Sequence, residues 1–299
     1  MANHTWLGRA KAVAQVDTFT YANVWASGDT STITINSKAI TFTSASASLE
    51  DQVDGLLALL QASEDGEFSE ITWTKSGTDT IVGTGPSDGT PFTATASEST
   101  AGSGTFTKAS TTSPTGPNWA DNADNWLGGA VPGAGDNAYI ENSTVSILYG
   151  LGNLSGTLTR MEVHSSFTGE IGLPKTNAGG YPEYRDDYLQ VDVTTVVIGE
   201  GVGSGSGRIK LDFGSVQTNV EVRQAGGEAE QGVPAVLLTG TNVNNVLDVQ
   251  SGSVGWSFFG GGAGALATLK NVTGQVQTGA SMAQLTTVQI QGGEVSAEV

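Results

Sequence analysis

The sequence predicts a mainly β protein, a small N-terminal α+β domain followed by a right-handed β-solenoid. Three observations carry that expectation. The 299-residue chain holds 42 glycines and no cysteine, well above the ~7% glycine of ordinary proteins. With Ser, Thr, Val and Asn also abundant, this favours short strands and tight turns, because β-branched side chains suit a pleated surface and glycine reaches positive φ. Helical periodicity occurs in one segment only, and beyond Asn137 the chain becomes a series of short, alternating apolar runs.

The N-terminal part, residues 1–96, reads as an anchoring domain. From Gln15, Val16, Thr18 and Thr20 alternate with Asp17, Phe19 and Tyr21, as a strand requires. Ser27-Gly28-Asp29 turns the chain into residues 30–35, and Asn36-Ser37-Lys38 reverses it into residues 39–43 as a hairpin. Leu49, Val53, Leu56, Leu57 and Leu60 then share one helical face, with Ser48 as N-cap and Glu50 and Asp51 at the positive end of the dipole. Strands at 70–75, 80–84 and 91–96 complete a β-β-β-α-β-β-β order, with the helix covering one face of a mainly antiparallel sheet. Trp25 and Trp73 suit a core better than a ligand platform, given the area each buries. Residues 97–117 are rich in Ser, Thr, Gly and Pro and read as a linker, with room for one last strand near Thr105.

Residues 118–299 read as the solenoid. Gly226, Gly252, Gly274 and Gly292 each close an alternating run, at intervals of roughly 20 residues that suit stacked coils. Asn219, Asn242, Asn244, Asn245 and Asn271 fall at turn-like positions between the runs. A β-sandwich is the competing architecture. The scarcity of Asn-Gly and Asp-Gly hairpin pairs favours the solenoid.

The formal charge of −18, from 12 basic and 30 acidic residues, argues against a nucleic-acid partner, which needs clustered Lys and Arg. Residues 1–9 lack the pattern of a secretory signal. The apolar stretch 56–60 is far short of the ~20 residues that span a bilayer, so no membrane partner is expected. Without cysteine, thiolate catalysis and Cys-ligated metal sites are excluded.

Residues 118–136, with Trp119, Asn125, Trp126, Gly128, Gly129, Pro132, Gly135 and Asp136, resemble a signature that opens β-helical repeats in autotransporter-like and phage proteins. In that setting Trp119 and Trp126 would cap the first coil. Thr5-Trp6, residues 14–18, Gly28-Asp29-Thr30 and Ile33-Thr34-Ile35 are similar to the leading domain of many phage structural proteins. The resemblance implies a virion protein assembled in the host cytoplasm, a capsid decoration or a tail fibre. Its partners would be other capsid or tail subunits. An extracellular adhesin that binds glycans is the alternative, and a polysaccharide-degrading tailspike is a more distant one.

Catalysis on a sugar would need two carboxylates ~5–9.5 Å apart across the scissile bond. The best cluster is Tyr181, Glu183, Tyr184, Arg185, Asp187 and Tyr188, an aromatic, acidic loop. It suits a weak sugar groove, with Glu183 and Asp187 as the acid and base, or an interaction loop between protomers. Because the other acids are dispersed, no enzyme activity and no cofactor are expected. His4 and His164 are isolated, and Asp121, Asp124 and Asp136 lack the glycine and glutamate of a calcium loop, so no metal is assigned. The glycine run 199–205 mimics a phosphate loop without its Lys-Ser/Thr helix. Asn3, Asn142, Asn153 and Asn271 begin N-x-S/T triplets that Ser/Thr-rich chains contain by chance. The strands near residue 294 have no amphipathic cover, which leads to the expectation of a homo-oligomer, with a trimer as the suggested arrangement.

Overall fold

A computed structural model describes residues 1–152, 154, 156–200, 207–230, 232–259, 263–280 and 282–297. The protein is mainly β and forms two compact units. One joins Met1–Ala10 to Pro117–Pro174 and Asp186–Val299, and the other joins Lys11–Gly116 to Lys175–Arg185. The division differs from the linear expectation in three places. The opening residues leave the 1–96 domain because β1 (Asn3–Thr5) pairs in parallel with Asn137–Tyr139. Much of the expected linker is strand. A short stretch of the C-terminal part, 175–185, folds with the N-terminal residues.

The unit containing Lys11–Gly116 comprises β2 (Val16–Ala22), β3 (Thr30–Ile35), β4 (Lys38–Thr43), α1 (Leu49–Gln61), α2 (Gly66–Ser69), β5 (Thr72–Ser76), β6 (Thr80–Thr84), β7 (Ala94–Ser99) and β8 (Thr105–Thr112). Its antiparallel sheets have the orders β5-β6-β2-β8 and β4-β3-β7. Residues Thr105 to Thr112 pair along the whole of β2, because their Ser/Thr content tolerates a pleated edge and Phe106 supplies a buried anchor. At the β3–β4 turn both Asn36 and Ser37 adopt positive φ, the primed geometry that matches strand twist. Ser48 caps α1 by accepting the Asp51 N–H at 3.3 Å. The helix buries Val53, Leu56 and Leu60 among Phe19, Tyr21, Ile33, Phe68 and Trp73, at about 1.5–3 kcal/mol per large apolar side chain. Trp25 and Trp73 lie in this core, their indole N–H groups donating to Ala22 O and Phe68 O.

The other unit carries β9 (Asn137–Ile140), β10 (Leu158–His164), β11 (Leu189–Gln190), β12 (Val193–Glu200), β13 (Ile209–Asp212) and β14 (Asn219–Val222). A small antiparallel pair follows, β15 (Glu228–Glu230) with β16 (Val233–Pro234). The remaining strands are β17 (Val236–Thr239), β18 (Val246–Val249), β19 (Ser253–Trp256), β20 (Gly264–Asn271), β21 (Gln275–Thr278), β22 (Met282–Ile290) and β23 (Glu294–Ala297). Two sheets result, in the orders β1-β9-β10-β12-β14-β18-β20-β22 and β11-β13-β17-β19-β21-β23, with every pairing parallel. From β10 onward, setting aside the β15–β16 pair, the chain alternates between the two sheets.

Register makes the inner face apolar. Met161, Val196, Val220, Leu247, Leu269 and Val288 occupy one continuous ladder. Val236, Val254, Val276 and Val295 form another in the second sheet. These residues belong to one core cluster or pack against it, Val288 excepted. Close backbone approach explains Gly274. A Cβ there would stand 2.6 Å from Val249 Cγ1 and 2.9 Å from Gly252 O, too close for a side chain. Asn271 is buried there and uses its amide fully. Its Nδ2 donates to Gly274 O and Glu294 O at 2.9 Å, and its Oδ1 accepts the Gly274 N–H.

Asp136 fastens β1. Its Oδ1 accepts the Ala2 N–H at 2.6 Å, and its Oδ2 accepts the Gly133 N–H and faces His4 Nε2 at 3.2 Å. These bonds, that from Ala2 foremost, hold its carboxyl below the usual range. A depressed carboxyl contributes stability above its unfolded pKa of about 3.9 and loses it as pH falls through the lower folded value. Asp136→Asn is therefore expected to strip hydrogen-exchange protection from β1 amides at neutral pH, and acid below about pH 4 to do so in the unaltered protein. Equal protection in the variant would refute this role.

Candidate functional site

The aromatic loop singled out in the sequence is divided between the two units. Tyr181 through Arg185 belong with Lys11–Gly116, whereas Asp187 and Tyr188 belong with the parallel sheets. In the first group Arg185 is the centre. Its Nη2 donates to Glu70 Oε1 at 2.5 Å, its Nη1 to Glu183 Oε1 and Tyr181 Oη at 3.1 Å, and its Nε to Pro91 O at 2.6 Å. Tyr181 Oη donates to Glu70 Oε2 at 2.8 Å, and the guanidinium lies 4.6 Å from the centre of the Tyr184 ring.

Burial raises the Glu70 carboxyl above its ordinary range against the pull of Arg185. It also raises both tyrosines, Tyr184 to about 12. Burial opposes the charge on Arg185, but Tyr184, Glu70 and Glu183 outweigh it and hold the guanidinium protonated. Glu183 is saturated. Besides Arg185 it accepts the backbone N–H groups of Tyr184 and Arg185 and the Asn177 amide. Tyr181 is 3% exposed and Tyr184, partly buried, packs against the apolar core of its own unit. Glu70 is the partner that sequence reading misses, since nothing local ties it to Arg185.

Asp187 serves a different cation. Its Oδ2 stands 3.1 Å from Lys210 Nζ. Lys210 is 1% exposed, with the Tyr188 and Phe259 rings 5.3 and 5.5 Å away. Burial first, then Asp187 and Asp212, push the Tyr188 phenol up. Glu183 and Asp187 are thus each paired with a cation of their own unit.

Trp126 is fully buried beside Trp6, with ring centres 5.3 Å apart at 71°, and its Nε1 donates to Ala120 O at 2.7 Å. Trp119 is half-buried against Tyr149. His164 faces Glu162 at 3.1 Å and Glu141 at 3.5 Å. Among the described residues no group of three His, Cys, Asp or Glu side chains could hold a metal ion. Most of the glycine run 199–205, and Asn153, lie outside the described residues.

The outer face of the larger parallel sheet offers a different constellation. Tyr139, Glu162, Val197, Glu221, Asp248, Lys270 and Gln289 follow one another in register. Arg160 pairs with Glu162, and Arg223 pairs with Glu221 at 2.8 Å. Arg223 foremost holds Glu221 low, and Arg160 and His164 hold Glu162 low against its burial. Around Val197 this face dips into an open cleft of about 280 Å³.

Comparison of the chain with protein-family models, with curated proteins and with solved structures gives no match.

Proposed function

We propose that this chain is a structural component of a phage virion, a capsid decoration or part of a fibre or spike, built on a right-handed β-solenoid. The supporting observation is the alternation of successive strands between two parallel sheets around a single apolar core. In that reading each circuit adds one rung to each sheet, and right-handed crossovers follow from strand twist. Such a stack works through shape and rigidity. The charged clusters agree with it, since Arg185, Lys210 and Arg208 are each held by carboxylates. The partners are other capsid or tail subunits and further copies of the chain. The uncharged strand β22, with Val288 and Ile290 44% and 54% exposed, suits contact between copies despite the net charge of −18. An adhesin acting through Tyr181, Tyr184 and Tyr188 is less well supported, because the first two rings are committed to their own unit.

Mass spectrometry of purified particles, with antibody labelling in the electron microscope, tests the proposal. The chain is expected at fixed stoichiometry and on the particle surface. Particles that lack it would overturn the reading.

A further inference from the structure

We infer that the free edges of β22 and β23 dock a second copy of this chain, end to end about a two-fold axis, with β22 antiparallel to its counterpart. The inference rests on the proposed reading only in taking further copies of the chain as partners.

The two ends of the parallel sheets are built differently. At one end the outermost strands are β1, with three residues, and β11, with two. Edges that short offer little to another strand, which is one way that proteins protect them. At the other end stand β22, with nine residues, and β23, with four. β22 holds no Pro, no Lys and no charge, so none of the usual residues blunts its edge.

Only one side of the β22 backbone is used. The strand pairs with β20, and the Gln291 N–H continues that pairing by donating to Asn271 O. Successive residues of a strand turn their backbone groups to opposite sides, so those of Val288 and Ile290 point to the free edge. Another strand satisfies such a row in register. The side chains agree with a covered end. Val288 and Ile290 are large and exposed, and Met282, Leu285 and Val295 close the core while only partly buried.

Charge names the occupant. Between Asp248 and Glu294, Lys270 is the only charged residue, in a chain of net charge −18. Copies so charged repel one another, and this end lets them meet without setting acid against acid. A two-fold contact uses the same patch on both copies. Head-to-tail stacking would instead set the nine residues of β22 against the three of β1 and leave most of the edge open. The antiparallel arrangement also keeps apart the one acid of these strands. Full overlap of β23 with its counterpart places Glu294 opposite Ala297 of the second copy.

Light scattering on the full chain tests the contact. At about 100 µM, enough to saturate micromolar self-association, the mass should be twice the 30.5 kDa of one chain. Val288→Lys and Ile290→Lys, at half-exposed positions, should each weaken the dimer at least about tenfold, with thermal unfolding of the monomer unchanged as the control on folding. Because the chain has no cysteine, introduced thiols report the geometry. Among Thr286→Cys, Thr287→Cys, Val288→Cys and Gln289→Cys, at least one should oxidise to a covalent dimer, whereas Asn3→Cys on β1 should not. A monomer at this concentration, a trimer, an oligomer indifferent to both lysines, or cross-linking through Asn3→Cys alone would overturn the inference. The virion reading stands or falls separately, on particle content.

Discussion

Arg185→Ala is expected to destabilise the unit containing Lys11–Gly116 by about 3–5 kcal/mol, the cost of leaving buried carboxylates without their cation. Glu70 and Glu183 both depend on this guanidinium, and the side chains of Arg185 and Glu183 are almost fully buried. The loss also removes the bond to Pro91 O and the contact with the Tyr184 ring. Urea denaturation of the full chain, followed through Trp25 and Trp73 fluorescence, reads the effect. The dependence on pH identifies its cause. Glu70 already has a raised pKa in the folded protein. A raised carboxyl favours the folded state below its unfolded pKa, and that contribution is lost as pH rises through the folded value. Removing Arg185 raises the folded pKa further, so the variant should recover stability on acidification over a wider range than the unaltered protein. Adding Glu70→Ala to Arg185→Ala should cost much less than the two single losses together, because the pair shares one interaction. A variant equally unstable at every pH would assign the loss to packing instead.

Trp126→Ala is expected to cost about 3–5 kcal/mol, as for other buried aromatic truncations. The indole is completely buried, stands edge-on to Trp6 and ties its ring nitrogen to Ala120 O. Its removal leaves Trp6 facing a cavity and frees the segment that carries β1. The midpoint of thermal unfolding of the parallel-sheet unit should fall, and protease cleavage near Leu7 should appear well below it. Trp119→Ala, on a half-buried ring, should cost clearly less. Equal losses for the two would mean that the two tryptophans act as a matched cap, as the sequence resemblance implies.

The locally encoded elements were legible in advance. Helix α1 is announced by Leu49, Val53, Leu56, Leu57 and Leu60 at helical spacing after a Ser48 cap, and the β3–β4 hairpin by Asn36-Ser37. Those signals act within a few residues of each other, where backbone preference and side-chain period suffice. Gly274 was legible as a strand end, and only a residue without Cβ permits the approach of Gly252 O there. The strand near Thr105 was legible inside the linker but its length was not, since Ser/Thr composition suits an edge strand as well as a tether, and only the pairing with β2 carries β8 on to Thr112.

The candidate loop shows where such reading stops. Tyr181, Glu183 and Asp187 have the composition of a sugar groove, but composition carries no information on which partner lies across the fold. Glu70 and Lys210 are that information. The same holds for Trp6 and Trp126, and for the cleft over Val197, whose neighbours Glu162 and Glu221 are set by strand register. From the sequence alone come the β class, the one long helix, the turn residues and the acidic surface, all properties of short stretches of chain. Which charges neutralise one another, which rings are buried and where a concave surface forms depend on contacts between distant residues, and these exist only once the chain has folded.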